Sequence, residues 1–353
     1  MATTAYGVNN PLAVKLWAKK LFHEVTGEGF MKAVVGEGTD SLVQLKTETQ
    51  KDAGDRIRVG LRMLLTGAGI QGDATLEGNE ESLTTYYDDP LIDQLRHAVR
   101  SSGKMSEQRV PFDVREEAMM GLKDWWKERL ETSIANQLTG YTGQTDTRYT
   151  GNNATIAPSS GRIIVGGSET GEASLSATTT HAIKLSDLDK AVAIAKVQSP
   201  RIRPINVDGK MMYCAFLHPY QVYQLRRDAS TAGNFYDVQK AMLQGGKISS
   251  NPIVTGADFI YNNVIVREWS YLPTTVSATT NANYRRGVFC GAQSALMAVG
   301  QGSSPSKMSW FEEKFDFGNQ LGVSAGMIFG VKKTVFNSVD FGTIVLSGYA
   351  PAP

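Results

Sequence analysis

The fold is decided by the sequence GDRIRVGLRMLL at residues 54–65 and by the stretch that follows it as far as Gly140. Arg56, Arg58 and Arg62 share one side of a two-residue period, and apolar residues occupy the other side. This alternation predicts a β-strand with one basic face.

A second strand that returned to the first would complete a long two-stranded arm. Leu91–Arg100 fits a helix or one face of a strand, and we interpret it as the returning strand because its pattern stops at Ser101-Ser102-Gly103. Residues 66–82 between the two strands are a turn-rich tip. An arm of this kind has little core of its own, so we expect it to pack on another subunit.

The tip and its flanks are acidic, in contrast to the first strand. The acids are Asp73, Glu77, Glu80, Glu81, Asp88 and Asp89. A basic strand that leads into an acidic loop suits head-to-tail contact between identical chains, because opposite charges meet across the boundary. The candidate intersubunit residues are Arg56, Arg58, Arg62, Glu77, Glu80, Glu81, Arg96 and Arg100. The alternative for each is a solvated position, since exposed ion pairs contribute little individually.

One long amphipathic helix is predicted from Pro111 to Leu138. Proline suits the first turn of a helix, and Gly140 is a natural stop. Apolar residues recur at every fourth position: Val114, Ala118, Leu122, Trp126, Leu130, Ile134 and Leu138. At 1.5 Å per residue the helix would be roughly 40 Å long, enough to cross a domain. We expect Trp125 and Trp126 to be core anchors rather than binding residues.

The remaining segments predict a packed α+β subunit. Residues 1–53 fit an extended arm with a short helix at Pro11–Val25, although that helix could instead lie on the main domain. Residues 141–180 are rich in Gly, Ser, Thr and Asn, which favours a long exposed loop or surface insertion. Helices are predicted at Leu185–Val197 (with Ser186 as N-cap), His218–Arg227 and Asn234–Gln244, strands at Met211–Leu217, Phe259–Trp269 and Arg286–Val299, and a β-meander at Phe315–Leu346.

Composition argues against several classes of function. Lys+Arg 36 against Asp+Glu 35 leaves a net charge of +1, which argues against a dedicated nucleic-acid binder. The start of the chain has no signal-peptide pattern, and no apolar run approaches the ~18 residues of a membrane span, so we expect a soluble protein made in a reducing cytoplasm. Cys214 and Cys290 lie in apolar runs without CxxC spacing, and we expect both to be buried and reduced.

Motifs for catalysis are weak. Gly67–Gly72 fits GxGxxG, but a dinucleotide site needs a helix to begin at those glycines, and an acidic segment containing Gly78 follows instead. We therefore predict a flexible loop tip there. The histidines have no metal-ligand spacing, and we expect His218 to begin a helix and His97 to make a polar strand contact. We predict no catalytic residue, no cofactor and no metal, because no nucleophile, base and orienting residue form a known motif.

A series of motifs runs in order through the first 140 residues. They are Tyr6-Gly7-Val8-Asn9, Gly54-Asp55-Arg56-Ile57, Gly60-Leu61-Arg62-Met63, Gly78-Asn79-Glu80-Glu81, Ile92–Arg100, Val114–Ala118 and Asp124-Trp125-Trp126. Together they resemble the major capsid proteins of tailed phages of the N4-like type. Beyond residue 140 the resemblance rests mostly on architecture.

The resemblance implies an HK97-type capsid fold with four parts. Residues 1–53 would be the N-terminal arm and 54–104 the E-loop hairpin. Residues 105–180 and 286–353 would form the P-domain with its spine helix at 111–138, and 181–285 would form the A-domain. The segment 141–180 matches no part of this scheme and would be an insertion on the shell exterior.

The resemblance also implies the function. The chain would assemble with itself into hexamers and pentamers that form the icosahedral head shell around the double-stranded DNA genome of a tailed phage. Portal, scaffold and cement proteins would be its further partners, and the virion head its location after assembly in the host cytoplasm. The alternatives are an encapsulin-like compartment that holds a cargo protein and, less favoured, an enzyme that binds a nucleotide at Gly67–Gly72.

Overall fold

Two β-sheets and one long helix build the body of the subunit, and a hairpin arm extends from it. A computed structural model describes residues 35–48, 54–109, 114–207, 209–227, 259–276, 282–301 and 309–353. The predicted helices at Pro11–Val25 and Asn234–Gln244 lie outside the described residues, as does the start of the predicted long helix at Pro111. Helices and mixed sheets within one subunit confirm the α+β prediction.

The first sheet is organised around one long strand, β15 (Gln320–Lys333). Three strands pair antiparallel with it: β5 (Asp93–Arg100), β13 (Ala295–Val299) and β14 (Ser309–Phe315). Two shorter strands continue the sheet beyond β13 in parallel: β2 (Val43–Lys46) and then β1 (Val35–Gly36). Residues from three distant parts of the sequence, 35–46, 93–100 and 295–333, therefore meet in this sheet.

The second sheet has eight strands and is mixed. Its main order is β6 (Ile163–Val165), β18 (Thr343–Tyr349), β12 (Asn283–Cys290), β8 (Lys210–Leu217), β10 (Val264–Glu268) and β9 (Phe259–Tyr261). Two strands pair outside this order: β7 (Ile205–Val207) with β8, and β11 (Thr274–Val276) with β12. A separate small hairpin, β16 (Val335–Phe336) and β17 (Val339–Asp340), connects β15 to β18.

The second sheet is covered on both faces. Cys214 and Phe216 of β8 pack into one core with the long helix and the first sheet, whereas Tyr213 and Ala215 pack into a second core under the helices Leu185–Val197 and Pro219–Arg227. A strand buried on both faces needs an unbroken apolar sequence, which explains the run at Met211–Leu217.

The long helix spans Val114–Thr139 and confirms the predicted helix within the described residues. Trp126 is fully buried and packs edge-on against Phe329 of β15, with 6.0 Å between ring centroids. Trp125 is partly buried beside it and stacks on His97 of β5 at 4.5 Å. Both tryptophans are core anchors, as predicted, and they fix the helix on one face of the first sheet.

The hairpin arm differs from the prediction in one strand. Its two strands are β3 (Val59–Arg62) and β4 (Thr85–Asp88), paired antiparallel. The predicted returning strand does form, as β5, but it pairs with β15 in the first sheet instead of with the arm. Leu95 of β5 is buried against that core, so burial in the body outcompetes pairing with the exposed first strand.

Residues 141–180 are irregular over most of their length, as predicted, but parts of the segment are buried in the body instead of being exposed. Thr150, Arg162, Gly166 and Leu175 are buried, and Ile163–Val165 forms an edge strand of the second sheet. The polar composition of these parts did not indicate burial, because the buried side chains of Thr150, Asn152 and Arg162 bond to backbone carbonyls.

Smaller predictions also changed. Helix Leu185–Val197 has Lys184 rather than Ser186 as its N-cap, and the carboxylate of Asp187 accepts a hydrogen bond from the Lys184 amide. The strands predicted at Phe259–Trp269 and Arg286–Val299 are each divided by a turn, because Asn262, Asn263 and Gln293 adopt positive φ. One further α-helix, Lys104–Gln108, and several 3-10 helices of three residues complete the described elements.

Candidate intersubunit surface

The tip of the arm, residues 63–84, exposes large apolar side chains. Leu64 is 84% exposed, Leu76 61% and Leu83 62%, and no strand or helix covers them within the described chain. Leaving such side chains in water forgoes the stabilisation that burial would give. Several exposed apolar side chains at the end of an arm are typical of a surface that another protein covers.

The arginines of the arm occupy its exposed face. Arg58 forms a two-pronged ion pair with Asp89, with N–O distances of 2.9 and 2.7 Å, and lies over the ring of Tyr87. The hydrogen bond from Arg58 lowers the pKa of Asp89, and the same bond raises the pKa of Arg58. Arg58 is therefore engaged within its own chain, whereas Arg56 and Arg62 are exposed beside it.

The acids of the tip fall into two groups. The carboxylate of Glu81 accepts hydrogen bonds from the backbone amides of Thr66, at 2.8 Å, and Gly67, at 2.7 Å, and these bonds lower its pKa. Glu81 therefore links the end of the tip loop to its beginning. Glu80 accepts a bond from the amide of Gly78 at 2.8 Å, and Glu77 is exposed. The side chains of Glu77 and Glu80 are exposed on the outside of the tip.

Arg96 and Arg100 lie away from the arm, on the face of the first sheet that is opposite the long helix. Their neighbour His97 faces the helix, so the alternation of β5 places both arginines on the other side. Arg100 lies over the ring of Phe315 at 4.2 Å, and the side chain of Arg96 passes over Gly326. We call this surface of β5, β15 and β14 the outer sheet face. The exposed side chain of Phe311 belongs to it as well.

The eight predicted intersubunit residues thus lie on two separate surfaces of the subunit. Six lie on the arm and two on the outer sheet face of the same subunit. Sequence analysis missed the contacts that hold the base of the arm: Asp88 is buried and binds the ammonium group of Lys332, and Asn153 bonds to the backbone of Leu91. In the sequence, Asp88 is not distinguished from the other acidic residues of the tip and its flanks, and Asn153 lies in a segment predicted to be exposed.

The glycines at 67–72 lie in an exposed loop, and no helix starts there, so the GxGxxG match does not hold a nucleotide in the manner of a dinucleotide fold. His218 precedes helix Pro219–Arg227, as predicted, and its Nδ1 accepts a bond from the amide of Tyr220. Within the described ranges no three His, Cys, Asp or Glu side chains come together as metal ligands.

The two cysteines are free and buried, as predicted. Cys214 of β8 and Cys290 of β12 are paired with each other across the two neighbouring strands. Burial raises the pKa of the Cys290 thiol. Among the described residues no helix has the length and apolar character required to cross a membrane.

A long helix against a sheet, a second sheet with its own helices and an extended hairpin arm together define a shell-forming subunit of the HK97 type. Comparison with solved structures supports this class. The chain superposes on the capsid of Ralstonia phage GP4 with a TM-score of 0.78, 29% identity, and coverage of 100% of this chain and 99% of that one. For the capsid of cyanophage Pam1 the TM-score is 0.75 at 21% identity, over 100% and 95% of the two chains.

The sequence comparisons agree. Residues 4–352 match the family described as phage capsid protein, and the major capsid protein of Pseudomonas phage KPP25 is 26% identical over 93% of each chain. The chain therefore belongs to the phage capsid protein family. It is a major capsid protein of the head shell of a tailed phage, and its location is the virion. These similarities to phage capsids favour this function over the encapsulin-like alternative, while the N4-like subtype stays a prediction.

Proposed function

We propose that copies of this subunit assemble into hexamers and pentamers that close an icosahedral shell around a double-stranded DNA genome. The observation that carries the proposal is the exposed apolar tip of the arm, where Leu64, Leu76 and Leu83 have no cover within the described chain. The arm reaches beyond its own body, so a neighbouring copy is the surface that can bury it.

The charges of the subunit suggest how the copies fit together. Glu77 and Glu80 on the tip are opposite in sign to Arg96 and Arg100 on the outer sheet face. We propose that the tip of one subunit lies on the outer sheet face of the next. Leu64 and its apolar neighbours would cover the exposed side chain of Phe311. Each such contact is weak, and a shell that adds many of them can still correct errors during growth.

The division of the chain into capsid parts belongs to the same proposal. Residues 1–53 would be the N-terminal arm, 54–104 the E-loop, 105–180 with 286–353 the P-domain, and 181–285 the A-domain. Strand β5 at the end of the proposed E-loop is built into the first sheet, so only the hairpin before it is free to reach a neighbour. Portal, scaffold and cement proteins are the further partners that we propose, and DNA would be enclosed without sequence-specific contacts.

The test is assembly of the full chain, alone and with the scaffold protein of its phage, followed by electron microscopy. We expect closed shells or ring-shaped capsomers. A uniform small monomer or dimer under both conditions would contradict the proposal.

A charge-reversal pair tests the arm directly. Arg62→Glu changes an exposed side chain on the arm without breaking a described ion pair, and Lys196→Glu makes the same change on a helix of the body. We expect the first variant to abolish assembly and the second to assemble normally, with unchanged circular dichroism for both. Normal particles from Arg62→Glu would show that the basic face of the arm is not an intersubunit contact.

A further inference from the structure

At its base, on the side away from the exposed tip, the two chains of the arm remain paired by backbone hydrogen bonds. We call residues 55–57 and 88–92 the arm root. The amide of Ile57 donates to the carbonyl of Pro90 at 3.2 Å, and the amide of Ile92 donates to the carbonyl of Asp55 at 2.9 Å. Ile57 is buried between them and the body. The direction of the whole arm therefore depends on what holds this root.

One side chain holds the centre of the root. The Oδ1 of Asn153 accepts a hydrogen bond from the amide of Leu91, and its Nδ2 donates to the carbonyl of the same residue, both at 2.9 Å. The asparagine thus satisfies both backbone groups of Leu91, as a neighbouring strand would. Asn153 is 7% exposed, so these bonds are shielded from competing water.

The turn that carries Asn153 is itself fixed to the body. The carbonyl of Gly151 accepts a bond from the amide of Val331 in β15 at 2.8 Å. Asn152 donates from its Nδ2 to the carbonyl of Phe329 at 2.7 Å. Gln137 of the long helix donates to the carbonyls of Thr150 and Asn153 at 2.7 and 2.9 Å. The long helix, the turn and the arm root therefore form one continuous set of hydrogen bonds.

A second contact holds the root at the end of β4. The carboxylate of Asp88 binds the ammonium group of Lys332 and accepts a bond from the amide of Val335 at 3.2 Å. Asp88 and Lys332 are both largely buried. Two separated contacts, one on each side of Pro90, restrict rotation of the arm as well as its displacement.

We propose that Asn153 is a positioning residue for shell assembly, with Asp88 as the second point of the same clamp. Asn153 is buried within its own subunit and would act on the arm rather than on a neighbour. It sets the direction in which the arm leaves the body and so decides whether the tip meets its neighbour. This role gives residues 141–180, which follow the long helix, a function that their polar composition does not indicate. The inference rests on the proposed function only where it concerns assembly.

The clamp is tested first on unassembled full-length protein. Spin labels are placed on cysteines introduced at the exposed positions Thr85→Cys on strand β4 of the arm and Val197→Cys on the body, since the native cysteines are buried. The distance distribution between the labels is measured by electron paramagnetic resonance. We expect a single narrow distribution in the otherwise unchanged chain and a broad one in Asn153→Ala. A broad distribution before the mutation would overturn the proposal.

A matched control separates positioning from general loosening. Gln221 is another buried amide side chain, which donates to the carbonyls of Arg285 and Leu346 far from the arm. We expect Gln221→Ala to lower the melting temperature as Asn153→Ala does while leaving the distance distribution narrow. Equal broadening in both variants would mean that Asn153 has no specific effect on the arm, and the proposal would fail.

Hydrogen exchange keeps the proposal testable if Asn153→Ala does not fold. The Leu91 amide of the unchanged chain should exchange far more slowly than the amides of the tip, and Asn153→Asp, which keeps the acceptor, should retain part of that protection. Where Asn153→Ala does fold, its Leu91 amide should exchange roughly tenfold faster than in the unchanged chain, as expected for one lost hydrogen bond. Exchange of Leu91 at the rate of the tip amides in the unchanged chain would refute the clamp.

Assembly is the last comparison. With scaffold present, Asn153→Ala should give fewer or misshapen particles, and Gln221→Ala should give normal ones. If the unchanged chain forms no shells under any condition, the proposed function fails while the distance and exchange measurements still decide the clamp.

Discussion

The ion pair between Glu172 and Arg286 offers the sharpest test of how the subunit is held together. Two N–O contacts of 2.7 and 2.5 Å join the side chains, which are 14% and 11% exposed. Arg286 also donates to the carbonyl of Gly140 at 2.8 Å, just beyond the long helix. Burial lowers the pKa of Arg286, but its bonds to Glu172 outweigh this effect, and its pKa lies above the ordinary value.

Removing the carboxylate leaves a buried guanidinium without its counter-charge. Breaking a buried pair in this way costs about 3–5 kcal/mol, because the remaining charge stays desolvated. We therefore expect Glu172→Ala to lower the free energy of unfolding by about that amount. The double variant Glu172→Ala with Arg286→Met removes both charges, and we expect it to recover part of the loss.

The assay is equilibrium unfolding in urea of unassembled subunits, because assembly would add its own stabilisation. The control is Glu268→Ala, which removes a more exposed partner, of Arg226, at 3.4 Å. We expect that control to change the free energy by less than about 1 kcal/mol. A loss from Glu172→Ala no larger than that of the control would refute the argument that this pair ties the segment after the long helix into the body.

Three further changes probe other parts of the subunit. Gly330→Ala would place a methyl group on the carbonyl oxygen of Leu91, so we expect faster hydrogen exchange at the arm root, and an unchanged exchange pattern there would contradict the packing. Trp126→Ala should lower the free energy of unfolding by about 3–5 kcal/mol because the side chain is fully buried, with Trp126→Phe clearly milder in the same urea titration. Burial lowers the pKa of His218 to about 4, so the unfolded chain binds the proton more readily and stability is lost as pH falls from 6.5 towards that value. We expect His218→Asn to flatten this pH dependence of unfolding, and an unchanged profile would show that His218 does not cause it.

The sequence was most informative where periodicity and burial agree. The four-residue repeat from Val114 to Leu138 predicted the long helix, and the unbroken apolar run at Met211–Leu217 predicted a buried strand. Both patterns are local, so they can be recognised without knowledge of the partners across the core.

The sequence was least informative where a partner is distant. Leu91–Arg100 was correctly predicted as a strand, but its pairing with β15 joins residues more than two hundred positions apart, and no local pattern encodes that choice. The same holds for Asn153 and Asp88. Their polar character signals exposure in a sequence, and only the tertiary structure supplies the backbone groups and the ammonium that they satisfy.

The eight-residue antiparallel pairing between β5 and β15 also has a mechanical consequence. The arm enters the body directly at Asp93, so tension on the arm passes lengthwise into β5. A ladder loaded along its strands carries the force on all its hydrogen bonds at once, whereas a ladder pulled from its end opens one bond at a time. The joint between the arm and the body is therefore loaded in shear, which is the direction in which a ladder resists best.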